Sequence, residues 1–547
     1  MRKIAIALLL LVLSLQLKAQ NQGTFSGNFQ SSFNVFVVDS NIGVTESTSP
    51  QYATQKTSAE AFLYMNYSNY GFNLITRFDL FNNSNLLNPG GSYTGEGLGF
   101  WQISKEIDKL TLTAGYFYEQ FGSGIVFRSY EDRLIGIDYA TQGINAKYTF
   151  NENFVLKAFT GRQKGFQDNR FGFANQIIKG INAEGQKSVK NVLFSGGASF
   201  VNRTLDNESM NKIASEINSM KDVSKRFYPK YNVYAYNGYL NTTFKNFTLN
   251  LEYAGKTKEA VRNQINAELE NKSGSVLQVV TGYSKSKLGK KKKSGLGINY
   301  QYRRIENFSF FLSPNVKTLE GLVGFVPSLT QQSTYRLLAR YMAQAINTGE
   351  QGHQVDVNFT INKKNSLSIN FADIKQLDGS RLYSEIYFDF STKISNIFKI
   401  KGGIQSIIYN QAVYQGKPNH ANVKTITPFA EINYNITKKY SLRSELQYLY
   451  TKQDYGSFAN VLVELNVSPH YSFSISDMIN VQPNRYDDNP VPNKVLHYYS
   501  FFGKYNVNAT SFTIAYIKQV EGVNCSGGVC RLEPAFSGVR FTITTNF

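Results

Sequence analysis

The sequence is poor in cysteine, methionine, proline and tryptophan, with 2, 6, 12 and 1 of them in 547 residues. Two cysteines exclude a disulfide scaffold and any zinc-ribbon framework. Charged residues make up only 18% of the chain. Beyond the N-terminus no apolar run approaches the roughly 18 residues a spanning helix needs, which excludes a helical membrane protein. The mean hydropathy of −0.31 agrees. The four histidines, His353, His420, His470 and His497, share no metal-ligand spacing, so no metal is expected. No phosphate-binding loop or dinucleotide fingerprint occurs, and no Ser-His-acid set stands above chance. No cofactor is implied, and the chain is not expected to be an enzyme.

What is abundant is aromatic: Tyr and Phe number 36 and 41, beside 42 Gly. That composition suits a long series of strands and turns and rules out general disorder. Met1–Gln20, MRKIAIALLLLVLSLQLKAQ, opens with Arg2 and Lys3, continues through the apolar Ile4–Leu13 and reaches Ala19. This is the pattern of a secretory signal peptide cleaved after Ala19, leaving residues 20–547 as one mature unit. The segment carries three cations (Arg2, Lys3, Lys18) and no acid, so of the net charge of +19 the remainder keeps +16. Export also implies an oxidising compartment.

Period-2 alternation dominates the rest. Phe247, Leu249, Leu251 and Tyr253 alternate with Thr248, Asn250 and Glu252. Leu296, Ile298, Tyr300 and Tyr302 do so with Gly297, Asn299, Gln301 and Arg303, and Ala430, Ile432 and Tyr434 with Glu431 and Asn433. Spacers also alternate in length. Short polar turns such as Ser68–Tyr70, Asn151–Asn153 and Lys245–Asn246 are followed by long stretches such as Asp39–Lys56, Glu119–Ala140 and Thr204–Pro229. Short turns at one end and long extracellular loops at the other are the habit of outer-membrane barrels. The expected fold is all-β, a transmembrane antiparallel up-and-down β-barrel of about 24 strands, in a range of 22–26 because bacterial single-chain barrels are even-numbered. Parity turns on whether Ile178–Gln186 pairs and on the ambiguous stretch Glu306–Thr334. Strand-like alternation begins by about Thr24, so any plug is expected to come from internal loops such as Glu119–Ala140, Thr204–Pro229 or Glu306–Thr334.

Phe547, with Phe541 and Ile543 on its face, resembles the insertion signal read by the outer-membrane assembly machinery. Three further segments carry a family resemblance: GTFSGNFQ (Gly23–Gln30), YFYEQFGSGIVFRSYEDRLIGIDYATQG (Tyr116–Gly143) and CSGGVCRLEPAFSGVRF (from Cys525). Together they resemble an uncharacterised family of outer-membrane β-barrel proteins of Bacteroidota-type, Gram-negative bacteria. The resemblance covers the whole chain and implies location and fold. It carries over no functional residue.

The densest chemistry lies in Glu119–Ala140, where Glu119, Arg128, Glu131, Asp132, Arg133 and Asp138 sit among glycines and aromatics. Such a loop folded into the lumen narrows it, and its fixed charges select solutes. The plainer alternative is a salt-bridged loop anchored to the wall for stability. Alternation also assigns Arg77, Asp79, Glu252, Arg303, Glu431, Arg443, Glu445 and Arg540 to the lumen. Met210, Ile213, Ile217 and Met220 fit one face of a short loop helix, as do Val261, Ile265 and Leu269. Cys525 and Cys530, four residues intervening, suit a small disulfide loop at a hairpin tip. Lys290–Lys293 reads as a periplasmic turn, with an anionic lipid headgroup as its alternative ligand.

The expected function is therefore an outer-membrane channel for passive passage of small hydrophilic or anionic solutes, the excess cation favouring anions. The alternative is a non-conducting accessory barrel in a secretion or envelope-biogenesis complex. Expected partners are outer-membrane lipid, the assembly machinery during insertion, and anionic solutes or another outer-membrane protein; nucleic acid is not among them.

Overall fold

The computed structural model describes residues 23–166, 169–263, 267–289, 293–316, 320–483, 495–526 and 529–547, without the side chains of 524–526, 529 and 530. The signal segment and its cleavage site lie outside the described residues. So do Ile265, Lys290–Lys292 and the side chains of Cys525 and Cys530. The hairpin backbone puts Cys525 directly opposite Cys530.

Twenty-four antiparallel strands form one sheet in which sequence neighbours pair throughout. The sheet closes where Thr24–Phe36 pairs with Phe536–Asn546, in register from Asn28↔Asn546 to Phe36↔Gly538. The other edge of Thr24–Phe36 pairs with Thr57–Asn69, so no edge is left open. Both parity questions are answered. Ile177–Val189 pairs with strands on both sides, and among the described residues the stretch after Glu306 contributes no wall strand up to Gly349.

The alternation sorts the two faces as hydropathy requires. Leu249, Leu251 and Tyr253 are exposed on the outer face while Glu252 between them is buried inside. Phe541 and Ile543 likewise face outward, with Phe547 beside Phe25 at a ring separation of 6.1 Å. At the turn end, Tyr70, Asp108, Lys190, Lys245 and Asn508 adopt positive φ, the backbone that lets two-residue turns follow the twist of their strands.

At the loop end, Asn207–Asn218 is a helix capped by the Asp206 side chain. Its buried Met210, Ile213 and Ile217 pack on Leu205, Ala260 and Leu269, with Met220 beside them. The second expected helix does not form. Val261 and Leu269 lie on the strands Phe247–Arg262 and Leu269–Leu288, which extend past the wall as a hairpin. The reason is arithmetic: positions 261, 265 and 269 fit a spacing of four and equally a spacing of two, so the stripe does not discriminate.

Candidate functional site

Two connections that fold into the barrel carry the site. The first runs over residues 118–140 and the second over 307–348. They meet through main-chain bonds, Arg128 N to Val323 O and Phe325 N to Gly124 O, both 2.9 Å. Around this junction Phe121, Ile125, Phe127, Phe308, Phe310 and Val323 bury themselves against inward-facing Ile178, Val201, Val276 and Ile305 of the wall. The inner face of these strands is thus apolar at the loop end because it is the wall of a core.

The second segment then crosses the lumen. It leaves the wall after Ser294–Glu306 and reaches strands four to nine places further round. Leu337 N donates to Gln447 Oε1 at 2.8 Å, Tyr335 Oη to Glu431 at 2.9 Å, and Tyr341 Oη to Asp454 at 2.9 Å. Leu329, Leu337, Tyr341 and Ile346 complete a second dry cluster with Tyr409, Leu449, Phe458 and Tyr498. Val44 and Tyr52 of the connection 37–56 and Tyr414 of 410–422 are buried in the same cluster. Arg303, at the root of the segment, pairs with Glu350 at 2.7 Å.

The first segment is anchored by ions. Arg77, fully buried on the wall, bonds Asp79 beside it, Glu131 at 2.5 Å and Asp138 at 2.7 Å. Lys164 meets the same Asp138 at 2.8 Å. Tyr118 Oη donates to Asp138 and Tyr64 Oη to Glu131. Asp138 and Lys164 lie on connections outside the spanning strands. Burial alone raises the Asp138 carboxyl, but Lys164, Arg77 and Arg170 outweigh it and hold the group far below the usual carboxylate range. Burial pushes the Lys164 ammonium down to about 8, against the pull of Asp138. The anchor is a charged unit whose members remain dry only while all are present.

Of the six residues assigned to the constriction, the structure brings three to this anchor. Glu131 and Asp138 bind Arg77, and Arg133 reaches Glu131 at 3.2 Å and Gln30 at 3.2 Å. The other three do different work. Arg128 lies over the rings of Tyr130 and Phe325 at 4.3 and 4.7 Å. Asp132 caps a short turn by accepting from Leu134 N. Glu119 points to the wall, where Lys157 Nζ approaches at 3.3 Å.

Alongside the in-folded segments, toward the turn end, the inner wall is polar. Lys157 and Glu184 pair there at 3.2 Å, and Arg443 bridges Glu431, Glu445 and Glu464 across three strands. All eight charges that alternation assigns to the lumen are on the inner face: Asp79 and Arg77 in the anchor, Glu252 accepting from Asn237 at 2.6 Å, Arg303, the Arg443 group with Glu431 and Glu445, and Arg540 on Asn34. Arg170 and Arg531 enter the site without any local signal in the sequence. Arg531, near the C-terminal end, donates to the carbonyls of Leu86 and Ile135 at 2.6 and 2.9 Å.

A closed sheet with an apolar outer belt, a polar inner wall and in-folded loops defines a transmembrane β-barrel of the outer-membrane kind. The chain belongs to DUF6029, a family of unknown function, matched over residues 1–547. Comparison with curated proteins returns no match. Several solved structures match the chain at low identity. The P pilus usher translocation pore is 8% identical, with 96% of this chain and 99% of that one covered and a TM-score of 0.42. A ferric enterobactin receptor mutant from Pseudomonas aeruginosa is 8% identical, with 97% and 81% covered and a TM-score of 0.41. A copper transporter is also 8% identical over 97% and 81%, with a TM-score of 0.42.

Proposed function

We propose that this protein is an outer-membrane channel for small hydrophilic solutes, anions preferred, held closed at rest by its own two in-folded segments. The observation that carries the reading is the contrast along the lumen. The turn-end half of the inner wall is lined by ionised and amide side chains, which serve no core and suit a water-filled conduit. The loop-end half is filled by segments attached at each end only to neighbouring strands, so they can leave without opening the sheet. Passage then requires displacement of 307–348, of 118–140, or of both.

Planar-bilayer recordings test this. Wild type should conduct weakly, and proteins lacking Gly122–Ile137, or with Ser328–Ala343 replaced by a flexible linker, should show a several-fold larger unit conductance with anion preference. Folded variants that conduct no better than wild type would remove the reading. The second reading, a non-conducting accessory barrel, is favoured by one feature: Val223 and Tyr228, in the connection after the helix Asn207–Asn218, are 67% and 94% exposed. Stable co-migration with another membrane protein, with no conductance, would support it.

A further inference from the structure

Two cavities border the segment 118–140, and one of them also borders the seam where Thr24–Phe36 meets Phe536–Asn546. One, about 590 Å³, is lined by Asp138, Arg170, Glu320, Tyr414 and Arg531. The other, at the seam and about 290 Å³, is lined by Asn34, Glu60, Arg133, Arg531, Glu533 and Arg540. Pro89 and Arg531 line both, so the two cavities meet at these residues.

The bonding of these groups is uneven. Asp138 is taken by Arg77 and Lys164. Arg170 is buried, stands 3.8 Å from Asp138, and its Nε has no hydrogen-bond partner among the described residues. Arg531 is committed to Glu533 and to the Leu86 and Ile135 carbonyls. Arg133 is shared between Glu131 and Gln30. Arg540 donates Nε to Asn34 Oδ1 at 2.7 Å and makes no ion pair among the described residues. Glu60, in the same cavity, accepts from Ser84 Oγ at 2.5 Å and pairs with no cation among the described residues. The seam cavity therefore holds three guanidinium groups against two carboxylates, and Arg540 is the one without a direct ion pair among the described residues, Glu60 and Glu533 acting on it only at longer range. A guanidinium in a partly desolvated space presents a fork of donors that fits the two oxygens of a carboxylate or phosphate.

We infer that the two cavities form a stepwise route for a small oxyanion, a solute bearing a carboxylate or phosphate group. Arg170 and Arg531 receive it at the loop end, and Arg540 with Arg133 holds it against the seam. Arg531 is the gate: its bonds to the two carbonyls close the junction, and an arriving oxyanion competes for the same donors. The route rests on the channel reading above and names its substrate class and path.

The test titrates the full-length protein in detergent micelles with inorganic phosphate, and separately with acetate, by calorimetry. R540Q and R531Q are compared with wild type and with K212Q, which removes an exposed charge from the rim helix. Both cavity variants should lose at least tenfold in affinity for whichever oxyanion binds wild type, and K212Q should not. Reversal potentials of R540Q should show reduced anion preference. Wild type binding neither anion, or folded R540Q and R531Q binding as wild type does, would overturn the inference. Lost binding in the variants beside a wild type and loop deletions that never conduct would keep the site and remove the channel. Conduction with unaltered binding would do the opposite.

Discussion

Arg77 of the wall and Asp138 of the first in-folded segment meet at 2.7 Å, and neither side chain is exposed. Removing one partner of a dry ion pair leaves the other charge buried and alone, at a cost of about 3–5 kcal/mol. Arg77→Ala is expected to lose that much in urea unfolding of the protein in micelles, and to raise resting conductance by releasing residues 118–140. An Arg77→Ala barrel as stable and as closed as wild type would show that the pair anchors nothing.

The same anchor can be disturbed without touching a charge. Gly99 lies over it: the Gly99 carbonyl accepts from Lys164 Nζ, and a Cβ at position 99 would overlap the Asp79 carboxylate. Asp79 is itself bonded twice to Arg77, so it cannot swing aside without breaking the group. Gly99→Ala is therefore expected to mimic Arg77→Ala, with a loss of at least about 2 kcal/mol where helix or strand propensity alone would give a gain. Unchanged stability on the same urea curve would mean that Asp79 has room to move.

Acid should loosen the second segment. Asp454, in a loop outside the spanning strands, bonds Tyr341 at 2.9 Å and Lys417 at 2.8 Å, with Arg340 at 3.7 Å. Burial raises this carboxyl, but Arg340 and Lys417 prevail and set it below its ordinary value. A depressed carboxylate contributes stability that is complete above its unfolded value of about 3.9 and is lost as pH falls through the folded one. Asp138 has the same sign. Channels are expected to stay closed from neutral pH down to about 4 and to open below it. Asp454→Asn should raise conductance at pH 7 and flatten the acid response. A wild-type conductance with no step below pH 4 would contradict this.

The wall was legible because each strand announces itself: a period of two survives whatever neighbours the strand takes. The rim helix was legible through Met210, Ile213 and Ile217, which commit to a period of 3.6. Of residues 307–348 only the plug candidate Glu306–Thr334 was legible, not its course. Phe308, Phe310, Leu312, Val323, Leu329, Leu337 and Tyr341 bury themselves on different sides of an irregular chain, so their spacing obeys no period at all. Within Glu119–Ala140 the inward fold could be expected from charge density, but not which charges share a centre. Glu131 and Asp138 are chosen by Arg77, more than fifty residues earlier, while Glu119 is chosen by Lys157. Arg531 was invisible for the same reason: its carbonyl acceptors, Leu86 and Ile135, lie 445 and 396 residues away.

Whether the two in-folded segments move together depends on their junction. Gly324 passes so close to the other segment that a Cβ there would collide with the Ile125 carbonyl oxygen and crowd the Val126 backbone. The contact is backbone against backbone, and the flanking bonds Arg128 N–Val323 O and Phe325 N–Gly124 O hold both strands of chain in place. Gly324→Ala should therefore separate the segments while leaving each on its own wall, one through Arg77 and Asp138, the other through Gln447 and Asp454. Coupling then becomes measurable. In the parent protein, Asp138→Ala and Leu337→Ala act on one connected body, and their losses should depart from additivity by about 0.5–3 kcal/mol, as contacting sites do. In the Gly324→Ala background the same two losses should add to within about 0.5 kcal/mol, as for independent sites. Additivity in the parent would show two separate gates, each opening its own half of the lumen.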